Sequence, residues 1–352
     1  MTKFFFRIFL LAMLLVSLAP WKVFARSQAH VEPPLSEEDA AVINEAYHLQ
    51  KTLGNQIWSG WSELAIPILY VTQEKEYAIN FPKPLLGFET TRLAFLTGQY
   101  IQVRGRTRDL NLAASFDVDG VDAVVIGSPA NTGKNPGEWV LTAVHEMFHV
   151  YQASRGSTQK VNDLKLGPEN ESAWQLNFPF PYHDPDVMRL IHLQGYPLFL
   201  GITDHEMDAS KYNVGVVIEA AETYRSFLRL KAADESLYRY SQFQEAIEGI
   251  GRYTEYKMAA AAAAPAYKPT AAFSRLTGLK NYKQVWNESY KNQLFPLKHD
   301  GRAVQSRTAF YYLGFGKGLL LDRLMPGWKA HYFDRNVWLD DLLAKALGDQ
   351  SS

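Results

Sequence analysis

The sequence predicts an α+β fold: a small, mainly antiparallel N-terminal sheet followed by a predominantly helical region. Three observations carry this expectation. Between Ile66 and about Ser128, short β-branched and aromatic runs alternate with turn residues, as strands do. Beyond Asn135 the apolar residues recur at helical spacing. At the change itself, Asn135-Pro136-Gly137-Glu138 supplies a cap, a proline at the first helical position and a glutamate three residues after the cap.

Taken in order, the first 25 residues differ in kind from the rest. Lys3 and Arg7 precede a short apolar run from Ile8 to Ala19, and Val23-Phe24-Ala25 fits a small-residue cleavage signal. The run is too short to span a bilayer comfortably, so residues 1–25 read as a cleaved secretory signal, with no stable membrane anchor afterwards. Ser36-Glu37-Glu38-Asp39 then opens an amphipathic helix that should end near Gly54, with acids placed at the positive end of the helix dipole. Strands are expected at Ile68–Val71, Tyr77–Ile79 and Tyr100–Val103, and on both sides of Asp119-Gly120, the second being Ala123–Ile126. Asp117-Val118-Asp119-Gly120 has the start of a calcium loop, but position twelve is Ser128 where a bidentate glutamate is required, so it reads as a hairpin turn.

The helix opened by Asn135 should stop at Gly156. Residues 157–212 are rich in Pro, Asn, Asp and aromatics and read as irregular structure with short helices. Helical spacing returns over Val214–Lys231, Asp234–Ala264, Thr308–Leu324 and Val337–Leu347. The expected division is therefore a signal over 1–25, a helix and β subdomain over 26–134, and a helical catalytic region over 135–352.

Bulk properties exclude several classes. Removing residues 1–25, which carry Lys3, Arg7 and Lys22 and no acid, takes the net charge from −1 to −4. That mild acidity argues against a nucleic-acid partner, which selects a basic stripe. The chain has no cysteine, so disulfides, thiolate metal sites, cysteine nucleophiles and an N-terminal lipid-modified cysteine are all ruled out. Any metal must sit on His, Asp or Glu.

Such a site is written in His145-Glu146-Met147-Phe148-His149. Two histidines four apart on a helix stand one turn above the other on one face, so both imidazoles can reach one ion. Glu146 lies about 100° further round, where its carboxylate can take a proton from a metal-activated water without being a ligand. With three protein ligands and one open position, zinc would be catalytic. Candidates for the third ligand are Glu248, in Glu248-Gly249-Ile250-Gly251-Arg252-Tyr253-Thr254-Glu255, and Glu219 and Glu222 on the preceding helix. Glu245, Glu248, Arg252 and Glu255 also share helical spacing, which a solvated charge face would produce, with Glu248 paired to Arg252.

HExxH followed by Glu-Gly-x-x-x-Tyr-x-Glu resembles the gluzincin zinc metallopeptidases, the clan that includes the aminopeptidase N-like family. The resemblance implies a zincin-like fold, with His145, His149 and Glu248 as zinc ligands and Glu146 as general base. It rests on two short motifs separated by 99 residues, so a large insertion must fold back on itself. No Gly-x-Met-Glu-Asn sequence occurs, so action on free amino termini is not implied. Glu255 is placed to accept a hydrogen bond from the far nitrogen of a zinc histidine.

An oxyanion donor would complete the site. Tyr312 is the preferred candidate, with Tyr311, His183 and Tyr253 as others. The strand Ala123–Ser128 could serve as an edge for an extended substrate. Gly314-Phe315-Gly316-Lys317-Gly318 departs from the dinucleotide pattern at Leu319 and reads as close helix packing. The function expected from the whole is an exported zinc-dependent metallohydrolase, periplasmic or secreted, acting on a peptide or protein substrate. The alternatives are a zinc hydrolase of a non-peptide amide and a non-catalytic zinc-binding protein, in which His183 or His205 would supply a fourth ligand.

Overall fold

The computed structural model describes residues 35–348 apart from 94, 97, 169–173, 205 and 299–305. The expected signal segment 1–25 and His205 lie outside the described residues. Helix α1 (Glu37–Ile57) is capped by Ser36, whose hydroxyl accepts from the Asp39 amide at 3.0 Å. It buries its apolar stripe and ends three residues past Gly54.

Six strands follow: β1 (Ile68–Val71), β2 (Lys75–Ile79), β3 (Glu89–Thr91), β4 (Ile101–Gly105), β5 (Ala113–Asp117) and β6 (Asp122–Gly127). They form one sheet in the order β3-β4-β2-β1-β6-β5. All neighbours pair antiparallel except β1 and β6, which run parallel with Tyr70 opposite Ile126. The sheet is therefore mixed. Period-two alternation sends Ile68, Tyr70, Val124 and Ile126 into the main core, and Leu69, Val71, Ala123 and Val125 into a smaller one on the other face. The substrate-edge expectation for Ala123–Ser128 is corrected here. With β1 on one side and β5 on the other, β6 has no free backbone edge.

After the short α2 (Pro129–Thr132) comes α3 (Pro136–Ser154), which carries the histidine motif. Its start is the capping box that the sequence foretold: Asn135 accepts from the Gly137 amide at 3.0 Å, and Glu138 accepts from the Asn135 amide at 3.1 Å. Trp139 donates its indole N–H to the Gly127 carbonyl at 2.7 Å and meets the Tyr70 ring edge-on, which docks α3 against the end of β6.

The remaining elements are helical: α4 (Ser157–Asn162), α5 (Trp174–Asn177), α6 (Pro185–Thr203), α7 (Met207–Lys231), α8 (Ser236–Gln244), a π-turn (Glu245–Gly249), α9 (Ile250–Ala262), α10 (Tyr282–Lys298), α11 (Thr308–Leu324), α12 (Lys329–Tyr332) and α13 (Leu339–Gly348). Residues 157–212 hold more regular structure than expected. Asp184 caps α6 by accepting from Asp186 and Val187, and the helix continues past Pro197 for six residues. The expected helical run over 234–264 is continuous from α8 through α9, but the π-turn interrupts its geometry. The larger apolar core links α1, the sheet and the helical region. No described helix is long and apolar enough to cross a membrane.

The glycines of α11 admit close packing. A Cβ on Gly314 would stand 2.1 Å from the Glu245 carbonyl oxygen, and one on Gly249 would stand 2.5 Å from Gly314 Cα, so two helical backbones touch at this glycine pair. A Cβ on Gly318 would press on the Tyr253 ring at 2.9 Å. This contact seats the π-turn against α11.

Candidate metal centre

His145 and His149 project from adjacent turns of α3, and their Nε2 atoms converge to 3.0 Å. Glu248, the fourth residue of the π-turn, brings Oε2 to 3.8 Å from His145 Nε2 and 3.7 Å from His149 Nε2. Two ligand atoms held tetrahedrally at about 2.1 Å from one zinc-sized ion stand about 3.4 Å apart. The three observed separations bracket that spacing, and two imidazoles with one carboxylate form a donor set suited to a first-row divalent metal. Among the described residues this is the one such group. Glu219 and Glu222 are exposed on α7, with Glu222 beside Arg225, so neither rival reaches the histidines. His183 lies in the turn before α6 and does not join the group.

The π-turn explains which carboxylates face the ion site. Regular helical spacing would put Glu245 and Glu248 on one face, and the sequence reading placed both there. The wider turn instead directs Glu245 to Lys317 on α11, at 2.5 Å, while Glu248 points to α3. Arg252 pairs with Glu255 at 2.8 Å, not with Glu248. Glu255 in turn faces His145 Nδ1 at 3.4 Å, the position expected for a carboxylate that orients a ligand histidine.

Glu146 is buried, 8% exposed, and its charge acts on His145. Tyr253 donates to both carboxylate oxygens of Asp322, at 2.7 and 2.8 Å, within a cluster completed by Lys257 and the Trp328 indole. It is a core anchor. Tyr312 lines a small cavity with Ile191, His192 and Pro296, residues of α6 and α10. Its neighbour Tyr311, about 100° round the helix, lies close enough to Glu248 to feel its charge. Burial first, and then the Glu248 charge, hold the Tyr311 hydroxyl well above its ordinary pKa, so it remains a donor.

Two further residues escaped the sequence reading. Gln152 accepts from His149 Nδ1, with 2.7 Å between the atoms, and lies three residues after that histidine, a spacing that puts both on one helix face. Gly251 sits under both rings, where a Cβ would lie 2.7 Å from His145 Cε1 and 3.2 Å from His149 Cε1. Gly251→Ala is expected to push the imidazoles apart and weaken divalent-metal binding about tenfold or more with the fold retained, measurable by competition with a chromophoric chelator.

Electrostatics of the metal-free site set a pH dependence. Burial disfavours the charged form of His145, but the neighbouring carboxylates of Glu248, Glu255 and Glu146 outweigh it and push the imidazole up to about 9. Burial likewise opposes ionisation of Glu248 and Glu255, yet the two histidines hold Glu248 well below its ordinary value, and Arg252 with His145 holds Glu255 at about 2. A raised histidine stabilises the fold fully below its unfolded value of about 6.5, and that contribution fades as pH rises through 9. The depressed carboxylates contribute above their unfolded value of about 4.3 and lose that contribution as pH falls through their folded values. Thermal melts of metal-free protein should therefore show stability falling between about pH 6.5 and 9, and falling again below about pH 4.3.

Set beside protein-family models, curated proteins and solved structures, the chain has no significant match in any of the three.

Proposed function

We propose that the protein is an exported zinc-dependent metallohydrolase that cleaves peptide bonds, with a zincin-like catalytic region of the gluzincin type. The observation that carries this reading is the convergence of His145, His149 and Glu248 from α3 and the π-turn, 99 residues apart in sequence, with Glu146 beside them. Zinc bound there would lower the pKa of a coordinated water and polarise the scissile carbonyl.

The chain's own residues supply the rest. Glu146 takes a proton from the attacking water and returns it to the departing amine, as the base and then the acid of the reaction. Gln152 holds the His149 imidazole by its Nδ1 atom, and the Glu255 carboxylate faces His145 Nδ1 at 3.4 Å, the side away from Glu248. Tyr311, a protonated hydroxyl near Glu248, would donate to a developing oxyanion.

The test uses the full chain without residues 1–25. Elemental analysis should find about one zinc per chain. A peptide library should be cleaved, cleavage should stop on chelation, and it should return with zinc. A protein that binds zinc through four side chains and cleaves no peptide would overturn the catalytic reading in favour of a structural metal site.

A further inference from the structure

Gln152 is 1% exposed and sits where α3 meets the π-turn. Its amide nitrogen donates to the Tyr332 hydroxyl at 2.6 Å and to the Ile247 carbonyl at 3.3 Å. The Tyr332 hydroxyl donates onward to the Ala246 carbonyl at 2.5 Å. Ala246 and Ile247 are the two residues before Glu248 in the π-turn.

The directions of these bonds leave one arrangement. The Ile247 carbonyl can only accept, so the Gln152 nitrogen must face it. The Gln152 oxygen then faces His149, which must carry its proton on Nδ1. With that nitrogen protonated, the lone pair of a neutral His149 lies on Nε2, the atom that points at His145 and Glu248. A single amide thus sets the tautomer of one ligand and grips the backbone that carries another.

A π-turn withdraws backbone groups from ordinary helical pairing, and two of its carbonyls here receive side-chain donors from Gln152 and Tyr332. A carboxylate such as Glu255 could orient a histidine but could not donate to those carbonyls. The use of glutamine at this position follows from that double duty. We infer that Gln152 is a positioning residue that couples His149 to Glu248, so that the metal site assembles as one unit through the chain His149–Gln152–Tyr332–π-turn.

This inference rests on the metal-site reading above, and the experiment separates the two. Zinc affinity is measured by chelator competition for the wild-type chain, Gln152→Leu, Glu248→Ala and the double variant. Gln152→Leu should weaken zinc binding by about 10- to 100-fold. Glu248→Ala should cost at least about fivefold less in the Gln152→Leu background than alone, because Glu248 is already out of place there. A purely structural role would leave the two effects independent.

Additive effects within about twofold, or wild-type affinity in Gln152→Leu, would overturn the coupling while leaving the metal site standing. A wild-type chain that binds no zinc would remove both. Should Gln152→Leu fail to fold, the same cycle is run with Tyr332→Phe, which keeps the ring and deletes only the hydroxyl. Coupling to Glu248→Ala is again the expected result, and additivity the overturning one.

Discussion

Glu146→Gln is expected to bind zinc as tightly as the wild-type chain while peptide cleavage falls by about 10²- to 10⁴-fold. The amide keeps the volume and buried position of the carboxylate but loses its charge and its ability to take a proton. Glu146 is not one of the three converging ligand atoms, so the metal should be indifferent to the change. Elemental analysis and initial rates on a cleaved peptide give the two numbers. Full activity in a zinc-loaded variant would remove Glu146 from the chemistry, and loss of zinc would recast it as a ligand.

The largest effect on stability is expected away from the ion site, at Lys317. Its ammonium is fully buried between Glu245 at 2.5 Å and Asp340 at 2.6 Å, and Tyr238 donates to the other oxygen of Asp340 at 2.9 Å. Burial raises Glu245 to about 7 even though the Lys317 charge opposes that rise. Removing the cation would leave the buried Glu245 without its counter-charge and the half-buried Asp340 beside it with only the Tyr238 hydroxyl. Lys317→Met should therefore cost about 3–5 kcal/mol, read by denaturant unfolding at neutral pH. The deficit should shrink as pH falls into the carboxylate range, since a protonated acid needs no counter-ion. Because Glu245 begins the π-turn, this variant should also bind zinc more weakly. A deficit under about 1 kcal/mol would mean that water reaches the pair.

Much of this was legible because it is local. The capping box at Asn135, the strands at 68–71 and 122–127 and the helix at 308–324 each follow from residues adjacent in sequence. The histidine spacing also encodes its own geometry, since one helical turn determines where both rings stand.

The remainder depends on partners distant in sequence. That β6 is an interior strand is a property of β1 and β5, not of its own residues. Helix α10, polar and weakly patterned, and α6, with its internal proline, take their stability from burial against α9, α11 and one another. Tyr311 and Tyr312 differ by one position, and only the packing of α11 on the π-turn decides which meets Glu248. The π-turn itself leaves no mark that residue spacing can reveal. Without it, Glu245 and Glu248 share a face on paper.

That turn also sets how the protein tolerates changes in length. A π-turn holds one residue more than an α-helical turn, and this chain stores its surplus residue immediately before Gly249 and Gly314 meet. Deleting any single residue of the turn would let the helix close into regular winding and rotate everything on one side by about 100° relative to the other. Either Glu248 would swing off the histidines or Glu245 would leave Lys317. The long stretch between α3 and α8 can gain or lose residues at its loops, but these five positions cannot, so a site divided by 99 residues is most sensitive to length within a single turn.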